Sequence, residues 1–579
     1  MAEGSSQRID VRDIPWAARP WIMAMVGTAA GWIFWWAVTS ADQSGQDMAL
    51  SRGWSVTATF VAVAAISFIM TVELRRLHWA TGFALFWGAI IAFVGWSSLG
   101  YNRGFELVSL SFLASIFAVL LAAPLFQTAR DEGGWRFPPL AVQMHAWTDA
   151  VIGATGMVFV GISFALFALI AGLFDLIGIE FFSNLLKEGW FGLMLAGSAF
   201  GAAVGILRER DALVGTMQRL VRIILSVLAP VLAFALVLFL LSLPVTGLAG
   251  LWDGWVSAAV LTLLAAAGCF ILLNAAIGPK DGDEVGDGEA KPVQPVLLWS
   301  ALVLALVVLP LALLAVSALW LRIGQYGWTP ERIWGLLSAL IALAYGIAGW
   351  WAVIRQRLGF SSLLRILETR LALAVCGLAL LLSLPIVDFG AISARDQLSR
   401  LQSGAVKPAD FDWAAMAFDF GPAGRAALER LARTGPADQR ELAGEALKAE
   451  DRYRLANAQR NAPDSATIRQ AMVIRPAGRA VPDAAVRVIR QMGLCGAGTC
   501  LVQWIDDERF VLVSGREEGE YPLVVLFTSA EDGAQWSSNY LNSGASQLTG
   551  DLEAVRIEAR PVSRRQVYVN GQPVGDEFE

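Results

Sequence analysis

The residues best suited to chemistry form a short run, Arg322, Tyr326, Trp328 and Arg332 in RIGQYGWTPERIW, with Arg395 following in VDFGAISARDQ. Planar guanidinium forks among aromatic rings suit a phosphate or a carboxylate, which they bind bidentately. Thr329-Pro330-Glu331 signals a helix start with Thr329 as its cap, and such a start adds free backbone N–H groups. The pattern predicts an anion site made of Arg322, Tyr326, Trp328, Arg332 and Arg395, for a lipid headgroup or a lipid-linked phosphate. The competing reading pairs Arg332 and Arg395 with Glu331, Asp388 or Asp396 and makes the cluster a tether.

Other chemistry-bearing residues are few. Cys495 and Cys500 enclose a Gly-Ala-Gly-Thr loop and read as a structural disulfide, because C-x4-C is not the spacing of thiol-exchange enzymes. Asp506-Asp507-Glu508 lacks the spaced ligands of a calcium loop and reads as a solvated hairpin turn. The two histidines, His78 and His145, both fall in segments read as cytoplasmic, which argues against bis-histidine haem within the bundle and against a histidine-rich metal site. No phosphate-binding or dinucleotide glycine motif is present, and no nucleophile stands beside a base. No catalytic residue, cofactor or metal is therefore assigned.

The elements that must position these residues are membrane helices. Apolar residues make up 56% of the 579, and charged residues only 16%, against about 25% in soluble domains. Before residue 390, apolar runs of about 17–25 residues recur, each matching the hydrocarbon core of a bilayer at 1.5 Å per residue. Eleven spans are predicted, at 20–39, 54–72, 79–99, 105–126, 150–175, 191–207, 221–243, 255–277, 296–321, 331–354 and 370–388. Ionisable residues are expected only at their ends, as for Glu106, Asp175, Glu180 and Asp388, and Asn274 is a polar group near one end. Pro230 and Pro310 fall inside spans. The net charge of −6 gives no reason to expect nucleic acid as a partner.

With residues 1–19 as a cytoplasmic tail, the inner loops hold seventeen lysines and arginines between Arg8 and Arg370. The outer loops hold five, Arg52, Arg103, Lys187, Arg322 and Arg332. That bias places the N-terminus inside. An odd number of spans then places everything after 388 outside the cytoplasm. Two stretches, Ile206–Pro244 and Val353–Pro385, each leave a span through R-x-R and end the next in L-L-S-L-P, which suggests a parallel internal repeat of three to four spans.

Beyond the spans, 389–480 reads as a helical neck and 481–579 as a small α+β domain. The strand-like runs are CLVQWI, RFVLVSG, PLVVLFT, AVRIEAR and RQVYVNGQPV, after a short helix AAVRVIRQMGL, with Asn570-Gly571 as a hairpin turn.

YGWTPER at 326–332, SARDQLSRL at 393–401 and FDWAAMAFDFG at 411–421 resemble a family of bacterial inner-membrane proteins known only as domain of unknown function 4153. The resemblance covers the spans and the neck and implies no reaction. The expectation is a multi-pass protein of the bacterial inner membrane, N-terminus cytoplasmic and C-terminal domain periplasmic. Its role is read as envelope sensing, assembly or scaffolding of envelope proteins. The alternatives are a transporter or flippase-like carrier of an anionic or lipid-linked solute, and a transferase at the outer face. A carrier predicts a polar cavity reaching mid-membrane.

Overall fold

The computed structural model describes residues 16–43, 48–99, 105–247, 257–277, 294–461, 465–492, 494–495, 500–514, 523–529, 536–541, 565–569 and 572–578. They fall into two compact units. The first holds the chain up to Gln402 with Phe418–Gly424, and the second holds Ser403–Ala417 and the chain from Arg425.

The first unit is helical. Its long helices are α1 (Arg19–Gln43), α2 (Met48–Thr71), α3 (Leu77–Leu99), α4 (Phe105–Asp131) and α5 (Pro139–Asp175). After the short α6 (Phe181–Lys187) come α7 (Gly189–Arg208), α8 (Asp211–Thr246), α9 (Ala258–Ala276), α10 (Pro295–Tyr326), α11 (Pro330–Gln356), α12 (Phe360–Ser383) and α13 (Phe389–Gln402). Among the described residues, ten helical stretches are long and apolar enough to cross a membrane. The last, Pro330–Ser383, is 54 residues long and contains both α11 and α12, folded back at a single 3₁₀ turn, Arg357–Gly359. Large apolar side chains such as Leu120, Leu166, Val231 and Phe234 stand on the outside. Water would penalise such a surface, and lipid does not. The chain is a multi-pass membrane protein.

Three helices start about ten residues before the predicted spans: α5 at Pro139 rather than near 150, α8 at Asp211 rather than 221, and α12 at Phe360 rather than 370. Hydropathy measures partition into lipid, and the first turns of these helices carry polar groups, among them Gln143, Gln218 and Arg365, that hydrogen-bond within the bundle. The expectation that ionisable groups stay at span ends is thereby corrected, since Glu368 lies two turns inside α12. Pro230 and Pro310 do lie inside α8 and α10. The two similar stretches both fold as helix–turn–helix, but Pro244 lies within α8, whereas Pro385 follows α12.

Close packing of α1 on α7 explains a glycine series. A Cβ on Gly197 would lie 2.1 Å from the Gly27 carbonyl oxygen, and one on Gly201 equally close to that of Met23. Glycine four residues apart lets the two backbones touch.

The second unit includes α15 (Ala437–Lys448), α16 (Arg452–Asn461), α17 (Ser465–Ala471) and α18 (Asp483–Gln491), after α14 (Gly421–Thr434), which begins at the boundary. Its five-stranded sheet runs β1 (Met472–Arg475), β2 (Cys500–Trp504), β3 (Arg509–Ser514), β4 (Leu523–Ser529), β5 (Trp536–Tyr540). β1 is parallel to β2, and the other pairings are antiparallel. Ile489 of α18 packs with Val502, Phe510 and Phe527 in one core. The strand-like runs at 500–505, 509–515 and 522–528 appear as β2, β3 and β4, whereas β1, within the supposed neck, and β5 were not expected. β6 (Arg565–Val569) and β7 (Gln572–Phe578) pair antiparallel. The Asn570-Gly571 turn, the run 554–560 and the 1–15 tail lie outside the described residues.

Candidate functional site

Several arginines in the first unit share one task, closing the C-terminal ends of helices. The last carbonyls of a helix have no partner within it and carry partial negative charge. At the end of α2, the carbonyls of Met70, Thr71 and Val72 accept from Arg208, Arg130 and Arg19 respectively. Carboxylates complete the set. Arg130, 2% exposed, pairs with Glu73 and Asp131, His145 Nε2 lies 3.1 Å from Asp131, and Arg208 lies 2.9 Å from Asp149. At the end of α9, Arg365 donates to the Ile277 carbonyl.

The predicted anion cluster turns out to use its guanidinium groups similarly. Arg332 Nη1 donates to the carbonyls of Tyr326 at 3.1 Å and Gly327 at 2.7 Å, closing α10. Arg400 donates to the carbonyls of Gly324 and Gln325, and Gln397 to those of Tyr326 and Trp328. Asp396 accepts the Trp328 N–H at 2.8 Å. Gly327 has φ +77°, and a Cβ there would lie 2.5 Å from Asp396 Oδ2, so only glycine fits. Thr329 caps α11, accepting from Arg332 N at 3.5 Å. The structure thus brings Arg332, Tyr326 and Trp328 together, with the Arg332 guanidinium 5.5 Å from the Tyr326 ring centre. Arg322 is half-buried on α10, and Arg395 is exposed on α13. The tether is made by Arg400 and Gln397, which the sequence reading did not single out, and its acceptors are carbonyls as well as a carboxylate.

A different set of polar groups lies inside the bundle. Helices α4, α5, α9, α10, α11 and α12 line a partly open cavity of about 750 Å³, within the range of about 300–1,000 Å³ usual for small-molecule sites. Its walls are apolar and aromatic, among them Phe117, Leu121, Leu263, Phe270, Val308 and Ile341. One end is polar. There α5 supplies Gln143, α9 Asn274, α11 Tyr345, and α12 Arg365 and Glu368. Gln143 Nε2 donates to Asn274 Oδ1 at 3.0 Å. Asn274 Nδ2 donates to the Phe270 carbonyl at 3.0 Å and to Glu368 Oε1 at 3.3 Å. This chain fixes both amide orientations. It leaves Gln143 Oε1 buried without a partner among the described residues. Tyr345 and Phe270 meet edge to face, ring centres 5.1 Å apart. The arrangement can hold a molecule with an apolar body and a polar head, and a carboxylate is available to it.

In the second unit, Cys495 and Cys500 form a disulfide, S–S 2.19 Å. Asp506–Glu508 is the β2–β3 turn. Asp506 accepts from Arg509 Nε at 2.8 Å and from the Glu508 N–H at 3.0 Å. The Arg509 hydrogen bonds hold its carboxyl below the ordinary range.

Sequence reading missed Gln143, Arg365 and Glu368 because they lie where helix starts were read as loop. Asn274 was noticed only as a polar residue near a span end. Comparison with protein-family models, curated proteins and solved structures finds no significant match.

Proposed function

We propose that the protein is a carrier of the bacterial inner membrane whose solute is an amphiphile or a lipid-linked molecule held in the intramembrane cavity. One observation carries this reading: an apolar cavity of about 750 Å³ ends on a chain of amide, amide and carboxylate. Polar groups at membrane depth are costly and mark solute or ion pathways. The cavity is apolar with one polar end, not the polar cavity expected of a carrier of a small anion, and so suits an amphiphile; sensing or scaffolding requires no such space. The bias of basic residues toward one end supports a cytoplasmic N-terminus. Counting α11 and α12 separately raises the ten stretches to eleven, an odd number that supports a periplasmic second unit. Membership in the domain of unknown function 4153 family remains part of this reading and adds no activity to it.

Native mass spectrometry of the full chain, purified from its own membrane, tests the cavity. Wild type is expected to carry a bound amphiphile, and Ala267→Trp, which fills the cavity from α9, is expected to lose it. Equal occupancy in both proteins removes the basis of the carrier reading.

A second reading, an anionic headgroup at the α10–α11 junction, is favoured by exposed Arg395 and half-buried Arg322. It predicts that Arg322→Gln with Arg395→Gln weakens binding of phosphatidic acid vesicles. Unchanged vesicle binding excludes it.

A further inference from the structure

We infer that the polar end of the cavity receives a hydrogen-bond-donating head, an alkylammonium ahead of an alkanol, on Gln143 Oε1 and the Glu368 carboxylate. The inference rests on the cavity being a ligand site and adds the class of ligand.

The argument is an account of donors and acceptors. Both Asn274 N–H bonds are used, on the Phe270 carbonyl and on Glu368. Gln143 directs its amide nitrogen at Asn274. Arg365 donates to the Ile277 carbonyl at the end of α9. The hydroxyls of Thr369 and Ser338 donate to the carbonyls of Arg365 and Trp334, both at 2.9 Å, within their own helices. What is left over on the Gln143–Asn274–Glu368 chain is acceptor capacity, although Arg365 Nε is also a buried donor without a match among the described residues. Gln143 Oε1 is buried and unmatched, and Glu368, which has about four lone-pair sites, receives one hydrogen bond from Asn274. A buried acceptor without a donor is costly, so a ligand that supplies the donor gains that energy on binding. An anionic head would set lone pairs against those of Gln143 and Glu368 and gain only from Arg365. A cationic head gains in addition from the carboxylate, and Tyr345 and Phe270 offer ring faces nearby. Arg365 precedes Glu368 by one helical turn and partly balances its charge, so a hydroxyl remains an acceptable second choice. The walls suit the tail. Between Arg365 and Val375, both on the lining, α12 rises about 15 Å, enough for a medium-length alkyl chain.

The test uses the full chain in phosphatidylcholine nanodiscs, with binding to empty nanodiscs subtracted. The probes are radiolabelled dodecylamine, dodecanol and dodecanoate, which share a tail and differ in the head. Wild type is expected to bind dodecylamine saturably, dodecanol more weakly and dodecanoate not at all. Glu368→Gln keeps the acceptor for Asn274 but loses the charge. It should weaken dodecylamine about tenfold or more, and dodecanol by less than about threefold. Gln143→Leu should weaken both, and it decides the matter should Glu368→Gln prove unstable. Ala267→Trp should abolish all saturable binding. If Ala267→Trp abolishes binding while Glu368→Gln and Gln143→Leu bind as wild type does, the head assignment is wrong and the cavity reading survives. Dodecanoate bound as tightly as dodecylamine also overturns the head assignment. If Ala267→Trp binds all three as wild type does, the cavity reading fails and this inference with it.

Discussion

The helix junction at the end of α10 and the polar end of the cavity both place ionisable groups beside aromatic rings, yet they differ in what remains available. At the junction, Arg332, Arg400 and Gln397 supply donors to four successive carbonyls, from Gly324 to Gly327, and Asp396 takes the next N–H. Every carbonyl of that stretch has its donor. In the cavity, Gln143, Asn274 and Glu368 satisfy one another only in part, and Gln143 Oε1 is left buried without a donor among the described residues. Residue types that attract attention in a sequence need not be the ones with chemistry to spare. Arginine in particular is used here as a helix-end closure, three times at α2 alone.

This contrast makes the arginines stability residues and the cavity amides and carboxylate ligand residues, which mutation can separate. The largest effect is expected at Arg130, the most buried cation of the α2 closure. Arg130→Met leaves the Thr71 carbonyl and Glu73 without their donor and should cost about 3 kcal/mol or more, seen as a lower midpoint in thermal unfolding. Next is Arg332→Met, which removes two hydrogen bonds from a half-buried cation and should cost about 1.5–3 kcal/mol. Arg332→Lys should restore only part of this, because one ammonium does not reproduce the fork. Destabilisation by Arg332→Met of less than a few tenths of a kcal/mol would return the junction to the status of an open anion site.

Glu368→Gln should behave in the opposite way. It removes a carboxylate from an apolar cavity while keeping the acceptor for Asn274, so unfolding should shift little or upward. A marked loss of stability would make Glu368 one more structural group. The smallest effect belongs to the β2–β3 turn. Asp506 has its carboxyl held below the ordinary range by Arg509, so its contribution is present above the unfolded value, about 3.9, and is lost as pH falls through the lower folded one. Asp506→Asn should therefore loosen the hairpin slightly at neutral pH and not at pH 2, read as amide hydrogen exchange across β2 and β3. A variant that exchanges as the wild type does at neutral pH would show that the turn does not depend on this charge.

Much of the scaffold was legible in the chain because it follows local rules. Apolar runs of bilayer length became helices, Thr329 capped α11, three strand-like runs became β2, β3 and β4, and Cys495 met Cys500. The candidate site was not legible for a tertiary reason. Gln143, Asn274 and Glu368 lie on three helices, and each alone reads as a polar residue near a span end. Only packing of α5, α9 and α12 converts them into a hydrogen-bonded chain and carries Glu368 inside the bundle. The tether was hidden similarly, since Arg400 and Gln397 reach carbonyls about seventy residues away, and a carbonyl leaves no mark in a sequence. β1 is too short to show a period, and β5, WSSNY, is mostly polar and exposed.

The most direct test of the central claim is an electron cryo-microscopy map of the full chain purified from its own membrane. Elongated density between α4, α9 and α12, with its head beside Gln143 and Glu368, is the predicted result. A cavity closed by its own side chains, with bound density beside Arg332 instead, would contradict it.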